Sequence, residues 1–521
     1  MDTSTTDKVP CNGPCRKRFR PAAVRLDQAT SSVLLSSARA SGLLWLCPEC
    51  HQAFNLQQPV KRYESDLPPE LWIMIFRNLD KRSTLRVRLT CRRWKDIVDL
   101  DQSLLKKLPL DFGKDATIDD RFQPENLFPA TSVRFSASRI LAVGAWWLTF
   151  GARLTELSVG SCEIKLPAFL QMLRGTPNLA NLSLCFNKYT STEESQVDFR
   201  LEKLEYLDCT EVIPVFESIF PRLRTILLIR KPDDEAKACR LLNSVQGTLK
   251  VLDIDLTPFV LKQMASMNRL QLTTLILHGN DNLIVQLSRT QVAVEVLFIT
   301  AATNEALCKI GRNLTKLKDL AVNMNDTGTV VPTFLDQMPQ LKRLNLIGTQ
   351  YSIVNQHLHF EGLKGENLTH LYLSSFHTIG DCLQNFLKKC PNLQDLEMRS
   401  CSVSSCLTIQ PHNTAANSHG ALKTLLMECC QIPTETLIRF LLQCSRVENL
   451  LLFDVDAVND QLIGTLNRLS QLKELAVCDC PVTDKSVEFI VENCSHVVVQ
   501  ISCEQISKLA MKLLDQVMRT R

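Results

Sequence analysis

A chain of 521 residues with 45% hydrophobic and 22% charged residues and only 17 glycines is too long for one compact core and too apolar to be mainly disordered. Several domains or an elongated repeat array are therefore expected. The formal charge is +4, and residues 1–65 alone hold nine Lys/Arg against five Asp/Glu, so the remainder is neutral and makes no electrostatic case for nucleic-acid binding. The opening MDTSTTDKVP lacks the apolar stretch of a secretory signal. The longest apolar run, between Arg139 and Arg153, falls short of the roughly 20 residues that a spanning helix requires. A cytoplasmic or nuclear address without a membrane segment is expected, with the 21 cysteines as reduced thiols or metal ligands.

Taken in chain order, the first feature is two close cysteine pairs, Cys11/Cys15 and Cys47/Cys50. Four thiolates match the ligand number of a tetrahedral structural zinc, which could order a segment short of apolar core. The alternative is four free thiols in a polar tail. With Trp45 two residues before the last pair, C-N-G-P-C-R-K-R-F-R and W-L-C-P-E-C resemble the second half of a PHD-type finger. Residues where that family keeps its other ligands, near Arg20 and Ala23, are not ligands here, so a one-zinc remnant over residues 1–55 is implied, followed by a linker at 56–65.

Residues 66–98 read D-L-P-P-E-L-W-I-M-I-F-R-N-L-D-K-R-S-T-L-R-V-R-L-T-C-R-R-W-K-D-I-V. Tandem prolines suit a first helical turn with Asp66 as a candidate cap, and Leu71, Ile75 and Leu79 then recur along one face. Ser83 is a candidate cap for a second helix, and Trp94 falls on a third. Because Trp72, Ile73, Met74 and Phe76 make the first helix apolar almost all round, a module this small has more apolar surface than it can bury. Leu67-Pro68, Glu70-Leu71, Ile75-Phe76, Leu79-Asp80, Leu85 and Cys91-Arg92-Arg93-Trp94 resemble the F-box, with Thr90 where a small aliphatic is usual. That resemblance implies an F-box over 66–112 that docks a Skp-type adaptor, and through it a cullin, by Leu67, Pro68, Leu71, Trp72, Ile75, Phe76, Leu79, Leu85, Cys91 and Trp94.

After a linker at 113–129, the pattern L-x-x-L-x-L-x-x-(N/C/T) starts cleanly at Leu154, Leu179, Leu272, Leu317, Leu341, Leu393, Leu422 and Leu472. Weaker copies near Ala130, Leu204, Leu223, Leu249, Val294, Leu368, Val447 and Val498 bring the total to about 16 at a spacing of roughly 25 residues, the leucine-rich-repeat period. Within each unit the second and third apolar positions lie two apart, which on a strand puts both on the buried face. A small hydrogen-bonding residue at the ninth position can satisfy loop backbone. Amphipathic stretches such as 333–337, 382–389 and 486–494 read as helices on the convex side, with 507–518 as a terminal cap. Polar interruptions at 187–200 and 402–420 read as surface loops. Ninth-position cysteines and C-P-N-L segments resemble the cysteine-containing repeats of F-box proteins, which makes 130–521 an α/β solenoid with parallel strands inside its curve.

Outward strand residues would line the concave, target-binding surface. Leu426, Leu451 and Phe453 are apolar where wet residues are expected. Together with Arg343, Tyr372 and Glu428 they form a candidate pocket for a large apolar side chain near a basic group; Leu227, Ile229, Val296 and Phe298 form a competing patch. No phosphate loop, zinc-protease helix, dinucleotide turn or nucleophile elbow occurs. A non-catalytic receptor that captures a protein for ubiquitination by partner subunits is expected. The alternative is a chromatin-associated or cullin-independent scaffold.

Overall fold

The computed structural model describes residues 67–519, except 125–126, 191–196, 229–233, 327, 349–355, 361–364, 405–420 and 495; before residue 67 it describes only the pairs 9–10 and 18–19. Cys11, Cys15, Cys47 and Cys50, and with them the expected zinc site, lie outside the described residues. The chain divides into two compact units, Met1–Leu79 and Asp80–Arg521.

In the first unit, Val9–Pro10 pairs antiparallel with Arg18–Phe19. Helix α1 (Pro69–Arg77) starts with Pro68 at the N-cap, proline geometry that suits a first turn, while the candidate cap Asp66 lies outside the described residues. Asn78 closes it, donating from its side-chain amide to the Met74 carbonyl at 3.0 Å.

The second unit opens with α2 (Lys81–Thr90), α3 (Arg92–Leu100) and the short α4 (Gln102–Leu105). Asp80, and not Ser83, caps α2, accepting from the Ser83 N–H at 2.9 Å. Arg88 on α2 donates to both carboxylate oxygens of Asp99 on α3, at 2.6 and 3.0 Å, and its guanidinium lies 5.1 Å from the centre of the Phe128 ring.

Among the described residues, seventeen parallel strands follow in one series from Leu110–Phe112 to Val498–Ser502. The sheet thus begins inside the segment expected to be F-box, and Thr117–Ile118 pairs with Arg139–Ile140 inside the expected linker. A strand of only Leu-Asp-Phe is too short to display the repeat pattern, which is why it escaped notice. Register is strict: Leu396, Leu425, Leu450 and Leu475 sit side by side and are fully buried. The residues between them face the concave side.

The convex side carries helices such as Glu235–Val245, Asp281–Ser288, Asn304–Asn313 and Asp484–Asn493; the stretch 333–337 is a 3-10 turn. The final helix, Lys508–Arg519, packs against Asp484–Asn493 and buries Ala510 and Leu514, while Leu509 and Leu513 stay exposed.

At eight places in the described series a repeated turn follows the strand. The residue directly after it takes a left-handed backbone, as at Ala137, Ser161, Ser400, Cys429, Asp454 and Asp479, with φ between 48° and 55°. Its N–H donates to the last carbonyl of the next strand: Ser400 to Glu428, Cys429 to Phe453, and Asp454 to Cys478, at 2.8–2.9 Å. The ninth-position side chain then turns inward. Cys430 donates its thiol to the Met398 and Glu428 carbonyls at 3.3 Å, and Asn187 donates to the Val159 carbonyl at 2.8 Å while accepting from the Cys162 N–H at 3.0 Å. Loop carbonyls that would otherwise lie buried and unsatisfied are paired in this way.

Candidate functional site

Two surfaces carry the residues singled out by sequence. On α1, Leu71, Met74 and Ile75 are exposed, while Trp72 and Ile73 are half-buried. Phe76, expected on the docking face, is instead buried, its ring 5.5 Å from that of Trp72. Positions 72 and 76 form one apolar stripe and positions 71 and 75 another, and the second is the wet one. Pro68 is exposed, and Leu67 and Leu79 are half-buried. On the second unit's helices, Leu85 and Cys91 are exposed and Trp94 is half-buried. Leu89 and Leu100, which sequence reasoning passed over, are 72% and 83% exposed. Part of the signal was available: Leu100 ends α3, whose buried positions are taken by Ile97 and Val98, and Leu89 lies on the otherwise polar α2, where Thr84 is the buried residue.

The concave surface brings only part of the expected pocket together. Leu426, Glu428 and Phe453 line an open cavity of about 630 Å³ with Arg399, Cys429, Asp454 and Asp479. Strand pairing sets this geometry, because Arg399, Glu428 and Phe453 are consecutive rungs across three adjacent strands. Tyr372, Leu426 and Leu451 belong to the neighbouring ladder, which runs Tyr372, Glu397, Leu426, Leu451, Ala476. Tyr372 and Leu451 are half-buried beside the cavity and do not line it. Arg343 lies three strands away from Glu428, engaged by Asp319 at 3.0 Å, and is not the cavity's basic group.

Arg399 takes that place. Its Nε donates to Glu397 at 2.6 Å and its Nη1 to Glu428 at 2.9 Å, and the Glu397 hydrogen bond pushes its pKa up from the ordinary arginine value. Asp454 and Asp479, both exposed, complete the rim. The Cys429 thiol is raised by its hydrogen bond to the Asp454 carboxylate. Sequence reasoning missed Cys429, Asp454 and Asp479 because the repeat pattern leaves the residue after each strand unspecified. In the competing patch, Val296, Leu227 and Phe298 are described and concave-facing, with Phe298 the most exposed of them, while Ile229 lies outside the described residues.

Among the described residues no group of three or more His, Cys, Asp or Glu side chains could hold a metal, and no helix is long and apolar enough to cross a membrane.

No curated protein matches the chain. Among solved structures, a TLR13–ssRNA13 complex is similar over 78% of this chain and 57% of that one, at 16% identity and a TM-score of 0.52. This chain thus spans little more than half of that neighbour, and the likeness is one of fold. An internalin from Listeria monocytogenes (15% identity, 68% and 88% coverage, TM-score 0.36) and a leucine-rich-repeat protein of Leptospira interrogans (13%, 77% and 97%, TM-score 0.36) are also similar. Residues 65–109 match the F-box-like family. The chain therefore carries an F-box-like domain at residues 65–109, and a leucine-rich-repeat solenoid begins at Leu110.

Proposed function

We propose that this chain is a non-catalytic substrate receptor of an SCF-type (Skp-cullin-F-box) ubiquitin ligase. Its F-box-like helices dock a Skp-type adaptor, the adaptor links it to a cullin, and the concave face of the solenoid holds the protein to be ubiquitinated and degraded. The carrying observation is the set of exposed apolar side chains within the F-box-like segment: Leu71, Met74 and Ile75 on α1, and Leu85, Leu89 and Leu100 on α2 and α3. Large apolar groups left exposed on short helices, in either unit, mark surfaces that a partner covers. An RNA ligand, as in the TLR13–ssRNA13 complex, is disfavoured here because the concave cavity is rimmed by carboxylates.

Purification of the tagged full-length chain from cells with cullin activity blocked tests the reading. The native chain should recover adaptor and cullin, and a Leu67→Ala, Pro68→Ala variant should lose both while keeping its target. If the native, folded chain recovers neither, the receptor reading fails and a cullin-independent scaffold takes its place.

A further inference from the structure

We infer that the cavity around Phe453 recognises a protein segment in which a large aliphatic or aromatic side chain is flanked by lysine or arginine. This deepens the receptor reading and rests on it only for the consequence of binding, not for the binding itself.

The floor and the rim have different chemistry. Leu426 and Phe453 occupy outward rungs, where every buried neighbour already points the other way, so their apolar surface faces the cavity and not the core. Burying such surface against a partner's apolar side chain is the favourable term. A cavity of about 630 Å³ has room for that side chain and its neighbours.

The rim decides which neighbours. Glu428, Asp454 and Asp479 line the cavity, and Glu397 stands beside it on the next ladder. The single cation among the described lining residues, Arg399, is already shared between Glu397 and Glu428. Four carboxylates against one engaged guanidinium leave a negative surplus that an anionic segment would have to approach uncompensated. The excess extends along the whole face: among the described residues, the third and fifth strand positions carry six carboxylates, Asp208 and Asp253 among them, against Arg134 and Arg399 alone. This face belongs to a chain whose formal charge is +4, so its sign is a local property and not an overall one. Charge complementarity of this kind sets partner choice and association rate.

The test uses the full-length protein and two fluorescently labelled peptides of identical length, Gly-Arg-Arg-Leu-Arg-Arg-Gly and Gly-Glu-Glu-Leu-Glu-Glu-Gly, followed by fluorescence polarisation. The basic peptide should bind at least about tenfold more tightly, and its affinity should fall as salt is raised. An Asp454→Asn, Asp479→Asn double variant should weaken it about tenfold. Asparagine tolerates the left-handed backbone at both positions, so this variant keeps the fold. Phe453→Ser should weaken the basic peptide and leave no preference among apolar side chains in place of its leucine.

Equal binding of the two peptides, no binding of the basic one at about 1 mM, or indifference to the Asp454/Asp479 substitutions would overturn the inference. Adaptor recovery, measured on the same preparations, separates the two claims. A chain that recovers the adaptor but ignores the basic peptide keeps its receptor role and loses this specificity. A chain that binds the peptide without recovering the adaptor does the reverse.

Discussion

Asp460, on the short helix Asp460–Ile463, reaches into the next repeat. It accepts from the Thr483 N–H at 2.9 Å, the Thr483 hydroxyl at 2.7 Å and the Ser486 hydroxyl at 2.5 Å. Thr483 is in turn the N-cap of the following helix, so a single carboxylate ties one repeat's helix to the start of the next. The device recurs at Glu235 with Thr257, Asp281 with Thr303, and Asp484 with Ser507. Removing it in Asp460→Ala deletes three hydrogen bonds to a charged acceptor at a partly exposed site, and the solvent discount brings the loss to about 2 kcal/mol. In a repeat array that loss falls on one interface. Amide hydrogen exchange, read by mass spectrometry, should therefore show protection after residue 483 falling about 30-fold, while helices before residue 320 keep theirs. Burial opposes ionisation of Asp460, yet the bonds from Ser486 and Thr483 outweigh it and hold its pKa below 3.8. A depressed folded pKa means that this contribution is present above the unfolded value and is lost as pH falls through the folded one. In the native chain the same C-terminal repeats should therefore loosen first below about pH 4. Equal loss of protection at both ends of the solenoid would refute the staple.

Gly151→Ala places a Cβ 2.7 Å from the Gly175 carbonyl and 3.0 Å from the Trp147 indole, whose N–H donates to Met172 at 2.9 Å. Since backbone on one side cannot yield, this substitution should cost about 2 kcal/mol, visible as a lower thermal midpoint and altered tryptophan fluorescence. For the N-terminal cysteine pairs, elemental analysis of the purified full-length chain should find one zinc per chain, lost in Cys47→Ser; a metal-free native chain would leave four free thiols.

The repeat array was legible because its information is local. Two apolar residues two apart, with a small polar one three further on, define a strand and its turn without reference to the rest of the chain, and Leu425, Met427 and Cys430 sit where that spacing puts them. The docking helix was legible as apolar but not as oriented. Residues 71 and 75 repeat with the same helical interval as 72 and 76, and only tertiary packing buries Phe76 and leaves Ile75 wet. The concave pocket was half legible. Leu426 and Phe453 stand out as apolar letters at polar positions, whereas the basic group came from the neighbouring Arg399 and not from Arg343, because adjacency across strands depends on the lengths of the intervening loops.

The cysteines follow from the same turn geometry. At the ninth position the side chain must be small, must tolerate full burial and must donate to a carbonyl left over where the strand ends. Asparagine meets the last demand best and carries a second polar atom that needs its own partner, as Asn187 finds in the Cys162 N–H. A thiol can fill the same place, pointing its proton at the leftover carbonyl and accepting from the preceding repeat's N–H, as Cys401, Cys430 and Cys480 do from Phe376, Cys401 and Val455. Burial then raises the thiol pKa of Cys480 to about 11, and likewise that of Cys239, and lifts Cys390 to about 12, which keeps them protonated at neutral pH. Among the described residues fifteen cysteines are free thiols, and burial holds Cys239, Cys390 and Cys480 in the protonated form, in which a thiol is a structural group and not a nucleophile.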